Sequence, residues 1–273
     1  MRRFAAFILT HGRPDGVLTY KTLKRSGYQG KVYFVVDNED AAIDRYKKNF
    51  GESNVVVFDK KTMADRIDEA NNFDNRKVIV HARNACFDIA ERLGVTHFIQ
   101  LDDDYYYFGF RNDCGAKKIN NINPVFSALC DFLDETPSLT IALSQGGDHI
   151  GGFGGVRLKR KAMNSFVCKT DRRFSFIGSI NEDVNTYVTL GARGHLFFTF
   201  TGLQLDQKDT QSQAGGMTDI YLERGTYVKS FTTVLYQPSS VRVSMMRAKF
   251  ERIHHSVNWS TTCPAIVPDL LAA

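Results

Sequence analysis

Short apolar segments alternate with longer amphipathic segments over the first hundred residues, and this alternation restricts the fold more than any other feature of the sequence. The apolar runs at 3–10, 31–37, 54–59 and 96–101 predict four strands, and the segments between them predict helices. Unbroken apolar strands that alternate with amphipathic helices are typical of parallel sheets. We therefore expect an α/β fold with a mainly parallel central sheet and helices on both faces.

The longest predicted helix of this half covers residues 78–93. Its apolar residues recur at spacings of 3, 4, 3 and 4, and they are Ile79, Ala82, Cys86, Ile89 and Leu93. This spacing predicts a helix with one buried stripe. The second half of the chain is less regular and contains a glycine-rich segment at 146–155. Glycine at this density indicates backbone close to a ligand, or a movable loop.

Cysteine usage and hydropathy indicate the cellular compartment. The five cysteines are odd in number and form no CxxC pair, which argues for reduced thiols and against a disulfide scaffold or a zinc ribbon. No apolar run approaches the roughly 18 residues of a membrane span. The short apolar run after Arg2 and Arg3 fits a first strand better than a signal peptide. We expect a cytoplasmic protein without a membrane partner.

Positive charge is concentrated in the segment at 157–173. This segment contains seven basic residues and one acid, whereas the whole chain has a net charge of +5. Such a segment suits a polyanionic partner such as nucleic acid. It also suits a solvated basic surface, and charge alone does not separate the two interpretations.

Three consecutive carboxylates, Asp102, Asp103 and Asp104, follow the fourth predicted strand. Alternate residues of an extended segment point to the same side, so Asp102 and Asp104 should converge while Asp103 turns away. Two convergent carboxylates beside open space suit Mg²⁺ or Mn²⁺, which retains positions for phosphate oxygens. The alternative is a solvated acidic turn or a helix cap, and the buried strand before the triplet makes that alternative less favourable.

Other polar residues follow the first two predicted strands. Thr10, His11, Gly12 and Arg13 come after the first strand, and Asp37 ends the second. The carboxyl ends of parallel strands meet at one edge of a sheet, where ligands gather. We expect these residues and the three aspartates to lie at the same edge.

Two later segments carry residues suited to catalysis or metal binding. Asn181, Glu182 and Asp183 stand at a predicted helix start, where a carboxylate stabilises the helix or Asp183 acts as a general base. His254 and His255 are adjacent and point in different directions, so at most one of them should join a metal held by the aspartates. The motifs of P-loop NTPases, Rossmann dehydrogenases and α/β-hydrolases are absent.

The order of these features resembles the GT-A class of nucleotide-sugar glycosyltransferases. The first strand ends in THGR, a helix carries Arg83 and Asn84, the fourth strand ends in QLDDD, and a glycine-rich stretch, NED and a late histidine follow. Within this class, the segments GGFGG, QAGGMTDIY and IHHSVNW resemble a phage group, the TET/JBP-associated glycosyltransferases. That group is proposed to glycosylate oxidised bases such as 5-hydroxymethylcytosine in viral DNA.

The resemblance implies a donor and a set of site residues. It implies a UDP-sugar as donor and Mn²⁺ or Mg²⁺ as cofactor, with the metal held by Asp102, Asp104 and His255 or, failing that, His254. Asp183 is then the base of an inverting transfer. The implied donor contacts are Thr10, Arg13, Asp37, Arg83, Asn84, Asp102 and Asp103.

The resemblance also implies an acceptor and a domain organisation. The acceptor is a hydroxyl of a modified DNA base, reached by base flipping or on a single strand. The segment at 157–173 would hold the phosphate backbone, and Tyr105–Tyr107 or Trp259 would stack on the base. The chain is expected to be one GT-A-like domain, with a nucleotide-sugar-binding half at 1–104 and an acceptor-binding half at 105–273.

Several choices stay open at this level. No Q/R-x-x-R-W acceptor signature is present, so the sequence fixes neither the acceptor nor the stereochemistry, and it does not indicate the oligomeric state. The alternatives are a nucleotidyltransferase, a glycosyltransferase that acts on a glycan or a protein, and a non-enzymatic DNA-binding module. The last of these would have no need for Asp102 and Asp104.

Overall fold

The computed structural model of the 273-residue chain describes residues 2–67, 76, 78–112, 115–145, 156–157, 161–207, 217–247 and 251–262. The predicted glycine-rich segment at 146–155 lies outside these residues, as do Lys159 and Arg160 of the basic segment. None of the described helices combines the length and the apolar composition that a membrane crossing requires.

In the described part of the chain, twelve strands form, and most of them belong to one large sheet. Their bounds are β1 (Phe4–Leu9), β2 (Lys31–Asp37), β3 (Val55–Phe58), β4 (His97–Asp102), β5 (Tyr105–Asn112), β6 (Gly115–Lys118), β7 (Thr140–Ser144), β8 (Val156–Arg157), β9 (Ser165–Lys169), β10 (Phe197–Gln207), β11 (Val241–Arg247) and β12 (Glu251–Val257). The four apolar runs predicted as strands correspond to β1 to β4.

The large sheet has the strand order β3-β2-β1-β4-β9-β7-β10-β5-β6, with β8 paired to β10. The strands β3, β2, β1 and β4 are parallel neighbours, as the alternation predicts. β9 runs antiparallel between β4 and β7, and β5 runs antiparallel to β10. β11 and β12 form a separate antiparallel hairpin. The α/β fold class is confirmed, and the sheet is parallel in its N-terminal half and mixed in the other half.

The helices of the described residues are α1 (Leu18–Arg25), α2 (Ile43–Phe50), α3 (Lys60–Ala64), α4 (Val80–Arg92), α5 (Asn123–Glu135), α6 (Glu182–Ala192), α7 (Met217–Tyr236) and α8 (Trp259–Thr262). Side chains of β1 alternate between two cores on opposite faces of the sheet. Phe7 packs in the core that contains Phe87 of α4, and Ile8 packs in the core that contains Leu129 of α5. Helices therefore cover both faces, as predicted.

The single buried stripe predicted for α4 is wrong in two respects. Leu93, at the end of the predicted stripe, is 36% exposed, whereas Arg83 and Asn84 are buried. α4 is enclosed on more than one side because its polar side chains find partners inside the protein. A pattern of apolar spacing does not reveal a buried arginine whose partners are distant in the sequence.

The ends of β2, β1 and β4 lie side by side at one edge of the sheet. In the strand register, Leu9 is opposite Asp102 on one side and Val35 on the other. Adjacent strands are about 4.8 Å apart. The loops that follow these three strands therefore share one edge, and β2 lies two strand spacings from β4.

Candidate active site

Asp102 ends β4, and a threonine of α1 fixes the turn that follows. The hydroxyl of Thr19 donates to the carbonyl of Asp102 at 2.5 Å and accepts from the amide of Tyr105 at 2.9 Å. The amide of Thr19 donates to the carbonyl of Asp103 at 3.1 Å. The backbone of the aspartate triplet is therefore held in place by the neighbouring helix.

Asp103 faces the loop after β1. Its carboxylate accepts a hydrogen bond from Oγ1 of Thr10 at 2.7 Å and pairs with Nη1 of Arg13 at 3.3 Å. The hydroxyl of Tyr46 lies 2.9 Å from Oγ1 of Thr10 and accepts a bond from the amide of Arg13 at 2.8 Å. Burial raises the pKa of Asp103, and the bonds from Thr10 and Arg13 oppose this rise. Three predicted donor contacts thus form one connected group.

Arg83 of α4 is fully buried and joins two carboxylates. Its Nε donates to Glu182 at 2.8 Å, and its Nη2 donates to Asp102 at 3.1 Å. The guanidinium lies 5.2 Å from the ring centre of Phe166 and 5.8 Å from that of Phe176, which favours a desolvated cation. Burial disfavours the charged form of Arg83, but attraction by Asp102 and Glu182 outweighs burial and raises its pKa. Arg83 is an internal cation of the site.

Negative charge exceeds positive charge around Arg83. Burial raises the pKa of Asp102 to about 7, the carboxylates of Asp104, Glu182 and Asp103 add to the rise, and Arg83 opposes it. Neighbouring carboxylates disfavour each other's ionised form, and a further cation relieves this repulsion. Carboxylate oxygens are the ligands that Mg²⁺ and Mn²⁺ prefer, and Mg²⁺ is often held by one or two of them together with phosphate and water. The donor set of Asp102 and Asp104 therefore fits a divalent cation.

Asp183 lies in the first turn of α6, and its surroundings make it basic. Burial raises its pKa to about 6, the charge of Glu182 adds to this, and Arg83 and Lys229 oppose it. Its carboxylate accepts a bond from the amide of Val184 at 2.8 Å. Asn181, before the helix, has a φ of 56° and donates to the carbonyl of Lys229 at 2.7 Å. The start of α6 is thus attached to α7.

Asn84 holds the backbone of a neighbouring loop. Its Nδ2 donates to the carbonyl of Phe176 at 3.0 Å, and its Oδ1 accepts from the amide of Phe176 at 2.8 Å. The side-chain amide is therefore already paired with backbone in both directions. A direct contact between Asn84 and the donor stays a prediction.

Asp37 belongs to a second polar group at the end of β2. It accepts a bond from Nδ1 of His11 at 2.7 Å and pairs with Nζ of Lys60 at 3.3 Å. Burial favours the neutral form of Asp37, but the bond from His11 and the charge of Lys60 outweigh burial and lower its pKa. The side chain is only 6% exposed, and its role as a donor contact stays a prediction. The sequence assigned no role to His11 or Lys60.

His255 lies on β12 beside His254, with 4.2 Å between their ring centres. Burial lowers the pKa of His255 to about 4, and the neighbours that add to this shift, His254, Lys229 and Lys161, are all basic. Among the described residues, no group of three or more His, Cys, Asp and Glu side chains is placed to hold a metal ion. The structure does not bring His255 into a metal site with the aspartates, and its role as third ligand stays a prediction.

The described cations of the basic segment at 161–173 are largely paired within the protein. Lys169 pairs with Asp134 at 2.9 Å. Arg172 donates to three carbonyls at and after the end of α5, and Arg173 pairs with Asp88. These residues fasten helices to the sheet, so they do not form the open basic surface that one interpretation of the sequence favoured.

The aromatic residues considered for base stacking have different environments. Tyr105 is completely buried, and its hydroxyl donates to the carbonyl of Asn164. Trp259 stacks on Tyr187 at 5.7 Å between ring centres. Tyr106 is 48% exposed. Packing therefore accounts for Tyr105, and Tyr106 is the most exposed of the three tyrosines.

The sequence of this chain was compared with models of known protein families. The family model of the TET-associated glycosyltransferases matches residues 4–216. The chain belongs to this family. The resemblance to the TET/JBP-associated glycosyltransferases is thereby confirmed, and the protein is a glycosyltransferase.

Two solved structures give further comparisons for this glycosyltransferase. It is similar to glucosyl-3-phosphoglycerate synthase from Mycobacterium tuberculosis in complex with Mn²⁺, UDP and phosphoglyceric acid, with 8% identity, a TM-score of 0.45, and coverage of 94% of this chain and 87% of the other. It is also similar to residues 1–349 of S. aureus TarS in complex with UDP, with 14% identity, a TM-score of 0.43, and coverage of 74% and 60%. No curated protein sequence matches it.

The sequence did not identify two partners in the site of the glycosyltransferase. Glu182 was considered only as a helix opener, although it is the residue that Arg83 binds. His11 was placed in the loop after the first strand but was assigned no role. Its side chain is the more exposed partner of the ion pair with Asp37. The signal for both was their position inside the motifs NED and THGR.

Proposed function

We propose that this glycosyltransferase transfers a sugar from a UDP-sugar to the hydroxyl of a modified base in DNA, with Mn²⁺ or Mg²⁺ as cofactor. The observation that carries the proposal is the cluster of carboxylates at the end of β4 and the start of α6, joined through Arg83. 5-Hydroxymethylcytosine carries a primary hydroxyl suited to this transfer, and it is the acceptor that we expect.

The donor diphosphate binds at the end of β4. Asp102 and Asp104 would hold the divalent cation, which when bound neutralises the diphosphate and makes it a better leaving group. Arg13, which Asp103 fixes at 3.3 Å, supplies a guanidinium at the neighbouring strand end. Guanidinium groups form strong charge-assisted hydrogen bonds with phosphate oxygens. Arg83 holds Asp102 from the protein side while the donor is exchanged.

Asp183 removes the proton of the acceptor hydroxyl. With a pKa of about 6, its carboxylate is ionised at neutral pH and still basic enough to accept a proton during the attack. The hydroxyl oxygen forms a bond to the anomeric carbon as the bond to the diphosphate breaks. Attack from the face opposite the leaving group inverts the anomeric centre, and the nucleoside diphosphate is released.

Basic residues next to Asp183 support a polyanionic acceptor. The carbonyl of Lys229 accepts a bond from Asn181 at 2.7 Å, which places Lys229 beside the start of α6. The charge of Lys229 lowers the pKa of Asp183. A fixed cation at this position attracts the phosphate next to the target nucleotide.

The neighbours of Lys229 extend this positive region. Burial lowers the pKa of His254, and the positive charges of three basic residues lower it further. These residues, Arg252, Lys229 and Lys161, therefore lie near His254. Arg252 is exposed, and Lys229 and Lys161 are half-buried. A base in a duplex must leave the stack to reach Asp183, and backbone phosphates held by this region would position an extruded base.

One incubation series tests the proposal. The protein is incubated with Mn²⁺, a panel of UDP-sugars, and DNA with or without 5-hydroxymethylcytosine, and the nucleosides are analysed by mass spectrometry. We expect a hexose or pentose added only to the modified base, with release of UDP. Asp104→Asn should abolish the addition, and Asp44→Asn on the exposed side of α2 should not.

The outcome also separates the alternatives. Release of pyrophosphate in place of a nucleoside diphosphate indicates a nucleotidyltransferase. Sugar transfer to a glycan or a protein but to no DNA indicates a different acceptor. No mass change with any donor on any oxidised base contradicts the DNA proposal.

A further inference from the structure

Two segments that are far apart in the sequence carry positive charge with little opposing charge. Residues 16–36 contain four basic residues and no acid. Residues 105–130 contain three basic residues and one acid, Asp113, which lies outside the described residues. The first segment includes α1, and the second includes β5 and β6. A count of charge along the sequence does not show whether the two segments meet.

The structure places α1 directly against β5 and against the loop after β6. Nη2 of Arg25, the last residue of α1, donates to the carbonyl of Tyr106 in β5 at 3.3 Å. The carbonyl of Gly27, just after α1, accepts from Nδ2 of Asn123 at 2.7 Å. The outer side of α1, β5 and β6 therefore forms one continuous surface, the α1–β6 surface.

The cations of the α1–β6 surface are exposed and separate from acids. Lys24 and Arg25 follow Lys21 by three and four residues, so the three lie on one face of α1. Lys117 of β6 is opposite Phe110 of β5, and opposite residues of an antiparallel pair project from the same face of a sheet. All four cations are exposed, and none pairs with a carboxylate in the part of the chain that the structure describes.

The same surface exposes two aromatic rings. Tyr106 and Phe110 are each 48% exposed. The described aliphatic side chains that are large and exposed lie elsewhere, at the end of α4, on α7 and on β11. Exposed cations beside exposed rings are typical of surfaces that bind single-stranded nucleic acid, where the cations contact phosphates and the bases stack on the rings.

General structural roles account for only part of this arrangement. Basic residues in the last turn of a helix stabilise it, which applies to Lys24 and Arg25. Lysines on an edge strand prevent pairing with another sheet, which applies to Lys117 because β6 ends the strand order. Neither role accounts for Lys21 or for the exposed ring of Phe110.

We propose that the α1–β6 surface binds the single-stranded DNA that flanks the nucleotide receiving the sugar. The contact residues are Lys21, Lys24, Arg25, Lys117 and Phe110. This inference rests on the proposed function. Thr19 of α1 binds the carbonyl of Asp102, and β5 begins directly after Asp104, so the surface starts beside the proposed metal site. Phosphates lie along α1 and β6, and a base next to the target stacks on the ring of β5.

Fluorescence anisotropy with a labelled single strand of about 15 nucleotides tests the cations. Lys24→Ala and Lys117→Ala should each weaken binding and reduce the slope of log affinity against log salt by about 0.7, the contribution of one phosphate contact in a single strand. Lys61→Ala is the matched control, because Lys61 is exposed on α3, which follows β3 at the other end of the strand order. Equal slopes in all four proteins overturn the inference.

The ring is tested separately from the charges. Phe110→Ala should weaken binding of the single strand at least about fivefold without changing the salt slope, because base stacking on an aromatic ring contributes about 1 kcal/mol or more. Phe110→Tyr keeps a ring and should bind as the wild type does. A duplex of the same sequence keeps its bases stacked on each other, so it should not show this loss. An equal loss on the duplex, or with Phe110→Tyr, contradicts stacking at this position.

Sugar transfer separates this inference from the proposed function. With the long single strand, Lys24→Ala and Lys117→Ala should raise KM, whereas a trinucleotide with a central 5-hydroxymethylcytosine does not reach the surface and should react equally in all variants. Variants that bind and modify the long strand as the wild type does overturn the inference and leave the proposed function intact. Binding of the wild type to phosphatidylserine vesicles but to no oligonucleotide assigns the surface to a membrane and overturns the inference. Absence of sugar transfer to any DNA overturns both.

Discussion

Arg83 and Glu182 are ninety-nine residues apart in the sequence and meet at 2.8 Å inside the protein. The same guanidinium reaches Asp102 at 3.1 Å, so it connects the end of β4 with the first residue of α6. One proposed metal ligand, Asp102, and the residue next to the proposed base, Glu182, are therefore held by one buried cation. A change at Arg83 should act on both.

Replacement of Arg83 by methionine should destabilise the protein severely. It leaves the buried carboxylates without their internal cation, and loss of one partner of a buried ion pair typically costs about 3–5 kcal/mol. Urea unfolding at pH 7.5 without metal measures the effect. The control is Arg66→Met, since Arg66 pairs with Asp88 at the surface and such pairs contribute about 0–1 kcal/mol. Equal losses in the two variants contradict the internal role of Arg83.

The metal-free protein should become less stable as the pH rises from about 4 to 7. The pKa of Asp102 is about 7 in the folded protein, whereas an ordinary aspartate in the unfolded chain has a pKa of 3.8. At a pH between these two values, the folded state therefore binds a proton that the unfolded state has lost. Stability then falls with increasing pH. Thermal unfolding at pH 5 and pH 7.5 should show a larger stabilisation by Mn²⁺ at pH 7.5. An equal effect of Mn²⁺ at both values contradicts binding at Asp102.

The parallel half of the fold was predictable because its signals are local. Each strand from β1 to β4 is a short apolar run, and each run is separated from the next by a segment with helical spacing. The position of β9 between β4 and β7 was not predictable in this way. The position of β9 depends on pairing between strands that are far apart in the sequence. A local sequence pattern does not indicate which of these strands become neighbours.

The site was predictable where a short motif coincides with a strand end. The side chains of Asp102 and Asp103 point in different directions, as alternation along an extended chain predicts. Asp102 contacts Arg83, and Asp103 contacts Thr10. The basic segment was less informative, because the partners of Lys169 and Arg173 come from α5 and α4. Net charge along a sequence does not show which charges are already paired.

Catalysis by Asp183 predicts an acid limit for the rate. The pKa of this carboxyl is about 6, so kcat/KM for sugar transfer should decrease below pH 6 as the base becomes protonated. Asp183→Asn should lower the rate by about 10² to 10⁴ while the fold is retained, as judged by circular dichroism. Lys229→Met should move the acid limit to higher pH, because the charge of Lys229 lowers the pKa of Asp183. A rate that does not change between pH 5 and pH 7.5 excludes Asp183 as the base.

Binding to DNA should depend on the basic residues near Asp183 and not on the predicted basic segment. Lys229→Ala and Arg252→Ala should each weaken binding of a short oligonucleotide and reduce the slope of log affinity against log salt by about one. Arg173→Ala should change neither, because Arg173 is paired with Asp88 and Glu91. Fluorescence anisotropy over a series of NaCl concentrations measures both quantities. If Arg173→Ala has the same effect as Arg252→Ala, the phosphate backbone crosses the segment at 161–173, and the positive region beside α6 is not the acceptor surface.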